Sequence, residues 1–148
     1  MLAKRILLLF FIVFGIPFCL QAQEWQTDLN QAEKIAAEEN KPIILVFQGS
    51  DWCAPCIKLD REIWTTDTFK KYSKDHFVML KADFPRSDKN ALKPAQQEKN
   101  NKLAETYNKE GYFPLVVVLN ENGKVLGKTG YKHITSENYI KILNSFQQ

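Results

Sequence analysis

Residues 42–56 have the sequence PIILVFQGSDWCAPC. The apolar, β-branched run at 42–47 is typical of a central strand that is covered on both faces. A short turn at 48–51 follows, and Cys53 and Cys56 come next, at a predicted helix start. The free N–H groups and the positive dipole end of a helix favour a thiolate at the first cysteine. The second cysteine, about one turn later, can close a small disulfide ring with the first, so the pattern predicts a redox-active dithiol.

Two other interpretations of the cysteine pair are a structural disulfide and half of a metal site. A zinc site needs about four ligands, and His76 and His133 are each alone in their segments, so we expect no metal. Pro55 suits the first turn of a helix, where its missing N–H costs little. Ala54 and Pro55, between the cysteines, are expected to tune the redox properties of the dithiol.

Residues 1–22 have the three parts of a secretory signal peptide. Two basic residues lie near the start, an apolar core occupies 6–17, and Ala22 is a small residue before the expected cleavage point. The apolar segment is short for a membrane-spanning helix. We therefore expect an exported protein whose single domain is 23–148.

Two alternatives for this N-terminal segment stay open. One is an uncleaved membrane anchor, and the other is a lipid-anchored form attached through Cys19. The residue before Cys19 is the bulky Phe18, whereas lipidated cysteines follow small residues, so the lipid anchor is the less favoured of the possibilities. Cleavage after Ala22 would leave Cys53 and Cys56 in a compartment where disulfides form readily.

The charge of the chain argues against nucleic-acid binding. The chain has 20 Lys and Arg and 17 Asp and Glu residues. Lys4 and Arg5 are the only charged residues of 1–22, which leaves 18 basic against 17 acidic residues in the expected mature domain. No basic stripe with interleaved aromatic residues is present, and we expect no nucleic-acid partner.

The pattern of apolar residues predicts alternating helices and strands. Helices are predicted at about 28–40, 53–72, 98–109 and 136–146, and strands at 43–47, 77–82, 115–119 and 125–127. Asp28 is a good N-cap for the first helix, and Asp67 could cap a separate second piece of the helix at 53–72. Residues 121–124, which include Gly123, are predicted to form a hairpin turn. The polar stretch at 85–97 is too long for a tight turn and is predicted to be a solvated surface insertion. This order predicts an α/β sandwich in which helices cover a mixed four-stranded sheet.

The order of elements, with Trp52 and the two cysteines after the first core strand and Phe113-Pro114 before the third, resembles the thioredoxin superfamily. The motifs QGSDWC at 48–53, DFP at 83–85 and GYFP at 111–114 are similar to those of exported bacterial thioredoxin-like thiol-disulfide oxidoreductases. These include DsbH-type proteins and the C-terminal domain of DsbD-type membrane reductases. The resemblance implies a thioredoxin-like domain at 23–148, a periplasmic location and thiol-disulfide exchange.

The resemblance also implies roles for individual residues. Cys53 would be the nucleophile and Cys56 the resolving cysteine. Pro114 matches the family's cis-proline, which faces the dithiol, and Trp52 and Phe113 are expected substrate contacts beside it. The implied partners are disulfide-containing exported proteins and a redox partner, such as a membrane reductase, that recharges the dithiol. No small-molecule cofactor is implied.

One position departs from the family pattern. Cytosolic thioredoxins carry a buried acid six residues before the first cysteine, where it assists proton transfer, and this chain has Phe47 there. Water or another group must then handle the proton, and Asp51 and Asp60 are both candidates. Tyr131 lies in the loop that approaches the dithiol in this family, either as a substrate contact or, more simply, as a packing residue.

A function of another class also fits the sequence. The chain would then be an exported binding module or holdase with a thioredoxin-like fold, in which the Cys53–Cys56 disulfide is a stable staple. Because both cysteines are retained with Pro55 between them, we favour the oxidoreductase, expected to reduce disulfides of exported proteins.

Overall fold

The computed structural model describes residues 23–148, so the predicted signal peptide at 1–22 and the alternative at Cys19 lie outside the described residues. The strands are β1 (Trp25–Gln26), β2 (Ile43–Gln48), β3 (Val78–Asp83), β4 (Leu115–Leu119) and β5 (Val125–Thr129). The helices are α1 (Leu29–Glu39), α2 (Ala54–Leu59), α3 (Asp67–His76), α4 (Pro94–Tyr107) and α5 (Ser136–Ser145). Within 23–148, no helix is long and apolar enough to cross a membrane.

The strands form one mixed sheet in the order β1-β3-β2-β4-β5. Strands β1, β2 and β3 are parallel, whereas β4 is antiparallel to β2, and β5 to β4. The α/β sandwich with a mixed sheet is confirmed, but the predicted count of four strands was wrong. The missed strand, β1, has only two residues, which is too short for a periodic pattern. It is held by pairing with Met79 and Leu80 of β3.

The central strand β2 has an apolar layer on each side. All of its residues from 43 to 47 are fully buried, which confirms the prediction of a strand covered on both faces. On one face, Leu45 and Phe47 pack with residues of α1 and α4. On the other, Ile44 and Val46 pack with residues of α2, α3 and α5. This double burial fixes the end of β2, from which the cysteine-bearing turn begins.

The predicted single helix after the cysteines is divided into three pieces. α2 ends at Leu59, a π-helical turn occupies Asp60–Trp64, and α3 begins at Asp67. The cap of α3 is Thr66, whose hydroxyl accepts the N–H of Phe69 at 3.3 Å. The suggestion that Asp67 is this cap was therefore wrong by one residue. Periodicity missed the break because apolar residues continue at helical spacing through all three pieces.

The polar stretch at 85–97 is shorter and more ordered than predicted. It contains a 3-10 turn at Asp88–Asn90, and α4 begins at Pro94 rather than at residue 98. A proline in the first turn loses no helical hydrogen bond, so it suits this start. Asn100 of α4 is 1% exposed and donates to the carbonyl of Asp83 at 2.8 Å. This buried polar residue interrupts the apolar pattern by which a helix is recognised.

Candidate active site

Cys53 and Cys56 lie at the carboxyl end of β2, where the chain enters α2. They form a disulfide with their Cα atoms 5.2 Å apart, and each residue is 4% exposed. Cys53 is the N-cap of α2, and the N–H of Cys56 is directed at Cys53 Sγ, with nitrogen and sulfur 3.3 Å apart. After reduction, this N–H and the helix end would favour a thiolate on Cys53 rather than on Cys56. The geometry agrees with the nucleophile and resolving roles, which remain predictions.

The two residues between the cysteines form the first turn of α2. Ala54 and Pro55 are both exposed and have no polar side-chain atoms. Because Pro55 lacks an N–H, it removes one of the amide donors that a helix start normally offers to a nearby anion. We therefore expect these two residues to tune the dithiol through the number of backbone N–H groups that the first turn offers to the Cys53 thiolate.

Trp52 is half-buried beside the disulfide and is fixed on three sides. Its indole N–H donates to the carbonyl of Phe84 at 2.7 Å. Its ring meets Phe113 edge to face at 5.5 Å between centroids, and the guanidinium of Arg86 lies 3.6 Å from its centroid. Gly49 makes room for the ring, since a Cβ there would lie 2.2 Å from the indole Cε2. Trp52 and Phe113, both predicted substrate contacts, are thus brought together.

Asp51 connects the cysteine-bearing turn to the polar stretch after β3. Its carboxylate accepts the backbone N–H groups of Arg86 and Ser87, at 2.9 and 3.0 Å, and the side-chain amide of Asn90 at 3.0 Å. These hydrogen bonds lower the pKa of Asp51, with the Arg86 N–H as the largest cause. Residues 86–90, at the start of the predicted insertion, therefore border the site. Sequence reasoning missed it because the partners are 35 to 39 residues apart.

Pro114 lies at the same edge of the sheet, after a cis Phe113–Pro114 peptide bond. An open groove beside it runs along Tyr112, Lys128 and Gly130. Tyr112 is 62% exposed, and its backbone is held at both polar groups by Asn108: the Tyr112 N–H donates to Asn108 Oδ1, and the Asn108 side-chain amide donates to the Tyr112 carbonyl, each at 2.9 Å. Asn108, which sequence reasoning missed, shapes the loop that leads to Pro114.

Tyr131 is engaged by a carboxylate of the π-helical turn. Its hydroxyl donates to Glu62 Oε2 at 2.7 Å, and His133 Nδ1 lies 3.2 Å from the same oxygen. The hydrogen bond from Tyr131, followed by that from His133, lowers the pKa of Glu62, and the bond to Glu62 raises the pKa of Tyr131. Tyr131 also packs on the buried cluster around Val46, which is in keeping with the simpler packing role.

Phe47, at the position where cytosolic thioredoxins carry a buried acid, is fully buried in the apolar layer under α1 and α4. Polar groups near Cys56 line a cavity of about 300 Å³. This cavity is lined by Gln48, Ser50, Cys56, Ile57, Asp60 and Lys81. Of the two acids left open by the sequence, only Asp60 lines this cavity. In the described part of the chain, no cluster of three or more His, Cys, Asp or Glu is arranged to hold a metal ion.

Comparison with known proteins gives the family of this chain. Residues 24–121 match the family model described as Thioredoxin-like. The chain belongs to the thioredoxin-like family. It is 32% identical over 129 residues to the disulfide bond reductase DsbH of Chlamydia pneumoniae, covering 87% of this chain and 75% of that protein. A solved structure of a DsbH oxidoreductase matches it with a TM-score of 0.78 and 31% identity over 88% of each chain.

The family resemblance stated from the sequence is thus confirmed. A more distant thioredoxin-like structure, the oxidised C-terminal domain of Neisseria meningitidis DsbD, shares the fold with a TM-score of 0.52 and 16% identity, over 78% of this chain and 89% of that one. The thioredoxin-like family and the Cys53–Cys56 disulfide together make the chain a thiol-disulfide oxidoreductase. The roles of the individual residues around the disulfide remain predictions.

Proposed function

We propose that this chain is an exported reductant that reduces disulfides of exported proteins through Cys53 and Cys56. The observation that carries the proposal is the disulfide at the start of α2, in a chain that matches a DsbH oxidoreductase over 88% of both lengths. DsbH of Chlamydia pneumoniae is a disulfide bond reductase, and we extend that direction of reaction to this chain.

The reaction that we propose has two exchange steps. The Cys53 thiolate attacks one sulfur of a substrate disulfide and releases the other as a thiolate, which leaves a mixed disulfide. Cys56 then attacks Cys53 Sγ, closes the Cys53–Cys56 disulfide and releases the second substrate thiolate, which takes up a proton. The substrate gains two electrons and the dithiol loses two. A redox partner, for which a membrane reductase is one candidate, must return them.

The surroundings of the disulfide support binding of an extended protein segment. Trp52, Phe113 and Pro114 lie together at one edge of the sheet, next to the open groove past Tyr112 and Gly130. The apolar rings would contact the side chains of the substrate segment. Tyr112, with most of its side chain in solvent, adds apolar surface beside the groove.

A thiol titration separates this proposal from the alternative of a binding module with a stable disulfide. The low exposure of both cysteines is the observation that favours the alternative. We expect the pair to titrate in graded glutathione with a potential of about −200 to −270 mV, and the reduced protein to reduce insulin. A stable staple would resist reduction, with a potential below about −300 mV. A potential near −120 mV with fast oxidation of a reduced unfolded protein would contradict the direction that we propose.

Export is the second part of the proposal, and its test is the mass of the exported protein. We expect the mature chain to begin near Gln23, because Ala22 is the best small residue after the apolar core, and to contain two cysteines. Intact-mass measurement of protein recovered from outside the cytoplasm checks this. A diacylglycerol adduct on Cys19, or a chain that still begins at Met1, would show that the expected cleavage does not occur.

A further inference from the structure

The resolving step needs a proton acceptor for Cys56. Cytosolic thioredoxins have a buried acid in the strand for this purpose, and this chain has none at that position. Cys56 is 4% exposed, and burial in apolar surroundings disfavours a thiolate. Phe47, at the strand position of that acid, is fully buried and has no polar side-chain atom. A positioned base near Cys56 would therefore speed resolution, because the thiolate is the attacking species.

The cavity next to Cys56 contains a suitable group. Asp60 follows Cys56 by one helical turn, and its backbone N–H donates to the Cys56 carbonyl, so the two residues share a side of the helix. The cavity that both residues line, with a volume of about 300 Å³, can hold several water molecules between them. Asp60 and Lys81 are the charged residues that line it. The Lys81 ammonium lies over the Trp25 ring, with Nζ 5.2 Å from the ring centroid, so Asp60 is the acidic side chain that the cavity offers to Cys56.

The other nearby carboxylates are already engaged. Asp51 accepts three hydrogen bonds from the 86–90 segment, which lower its pKa and make it a poor base. Asp83 accepts the N–H and the hydroxyl of Ser50, at 2.9 and 2.6 Å, and the N–H of Phe84 at 3.0 Å. Asp60, by contrast, is exposed, and no donor among residues 23–148 lies within hydrogen-bonding distance of its carboxylate. It is free to act on Cys56.

We propose that Asp60 accepts, through water in this cavity, the proton that Cys56 loses when it attacks the mixed disulfide. The S–H bond of Cys56 breaks, its proton passes to the Asp60 carboxylate, and the new thiolate forms the S–S bond with Cys53. The substrate thiolate leaves with the electron pair of the broken S–S bond and then takes up a proton. The inference rests on the proposed role of Cys56 as the resolving cysteine.

Asp60→Asn tests this assignment in the full mature domain. The reduced protein is mixed with 5,5′-dithiobis(2-nitrobenzoate), and stopped-flow absorbance follows two releases of thionitrobenzoate, one from attack by Cys53 and one from resolution by Cys56. We expect Asp60→Asn to slow the second release by about 10-fold or more near pH 6, toward the ~10²-fold typical of a general base, and to leave the first unchanged. The difference should narrow as the pH rises above the ordinary thiol pKa of about 8.5, because the Cys56 thiolate then forms without help from Asp60.

Two control variants make the test specific. Asp75→Asn removes an exposed carboxylate from α3, far along the chain from the cavity, and should leave both releases unchanged. Asp60→Glu retains a carboxylate and should restore most of the second rate. A second release equal in Asp60→Asn and Asp75→Asn, or an equal slowing of both releases at every pH, would overturn the role of Asp60. A second release that persists in Cys56→Ser would instead overturn the role of Cys56, on which the inference rests.

Discussion

Cys56→Ser protein should accumulate covalent mixed disulfides with its substrates, whereas Cys53→Ser protein should form few or none. Only Cys53 is the N-cap of α2, where the Cys56 N–H and the helix end can stabilise a thiolate. In Cys56→Ser, Cys53 still attacks, but no second thiol releases the substrate. Both variants should lose insulin reduction almost completely, because each exchange cycle needs both sulfurs.

Non-reducing gels of exported extracts, followed by mass spectrometry of the captured disulfide partners, measure this difference. The double variant Cys53→Ser/Cys56→Ser is the matched control, since it preserves the backbone and removes both sulfurs. Equal trapping by the two single variants would contradict the assignment of nucleophile and resolving cysteine. It would leave the fold and the family unaffected.

Trp64→Ala should lower the free energy of unfolding by about 3–5 kcal/mol, the usual cost of deleting a buried tryptophan side chain. Trp64 is 1% exposed and ends the π-helical turn after α2. Its ring meets Phe69 at 4.7 Å and Tyr139 at 5.4 Å between centroids, so it joins the layers from α3 and α5. Removing it leaves a cavity between α3 and α5. Urea unfolding of the oxidised protein, followed by circular dichroism, measures the loss.

Trp52→Ala is the matched comparison, because it deletes the same side chain at the edge of the active site. Trp52 is half-buried, and its loss removes one hydrogen bond to Phe84 and contacts with Phe113 and Arg86. We expect a stability loss of less than roughly half that of Trp64→Ala, together with a fall in kcat/KM for insulin reduction. Equal stability losses would contradict the placement of Trp52 at the rim.

Where the sequence pattern was continuous, it predicted the fold well. The apolar run of β2, the cap of α1 at Asp28 and the hairpin turn at Gly123 are all observed, because each depends on residues close together in the chain. Strand β1 was missed since its two residues gain their structure only from β3. The early start of α4 was missed because Asn100 is a buried polar residue, satisfied by a carbonyl that the sequence does not show.

In the candidate site, too, the local motifs were predicted and the contacts between distant residues were missed. The cysteine pair and Phe113-Pro114 are local motifs, and the family resemblance implied that Pro114 faces the dithiol. Two other parts of the site depend on hydrogen bonds between polar side chains and backbone groups. These are the bond from the Arg86 N–H to Asp51 and the pair of bonds between Asn108 and Tyr112. Such contacts leave no periodic signal, because any polar residue on a surface has the same local pattern. The choice between Asp51 and Asp60 likewise needed their surroundings.

The direction in which the chain enters the sheet has a practical consequence for experiments on this protein. Since β1 is parallel to β2 and β3, its first residue lies at the edge of the sheet opposite the disulfide. Gln23 is held there, with its side-chain amide donating to Ser73 Oγ at 2.9 Å near the end of α3. An affinity tag or a solid support coupled ahead of Gln23 would thus sit on the far side of the molecule. Immobilised in that way, the protein would present Cys53 and Cys56 outward to substrates as large as folded proteins.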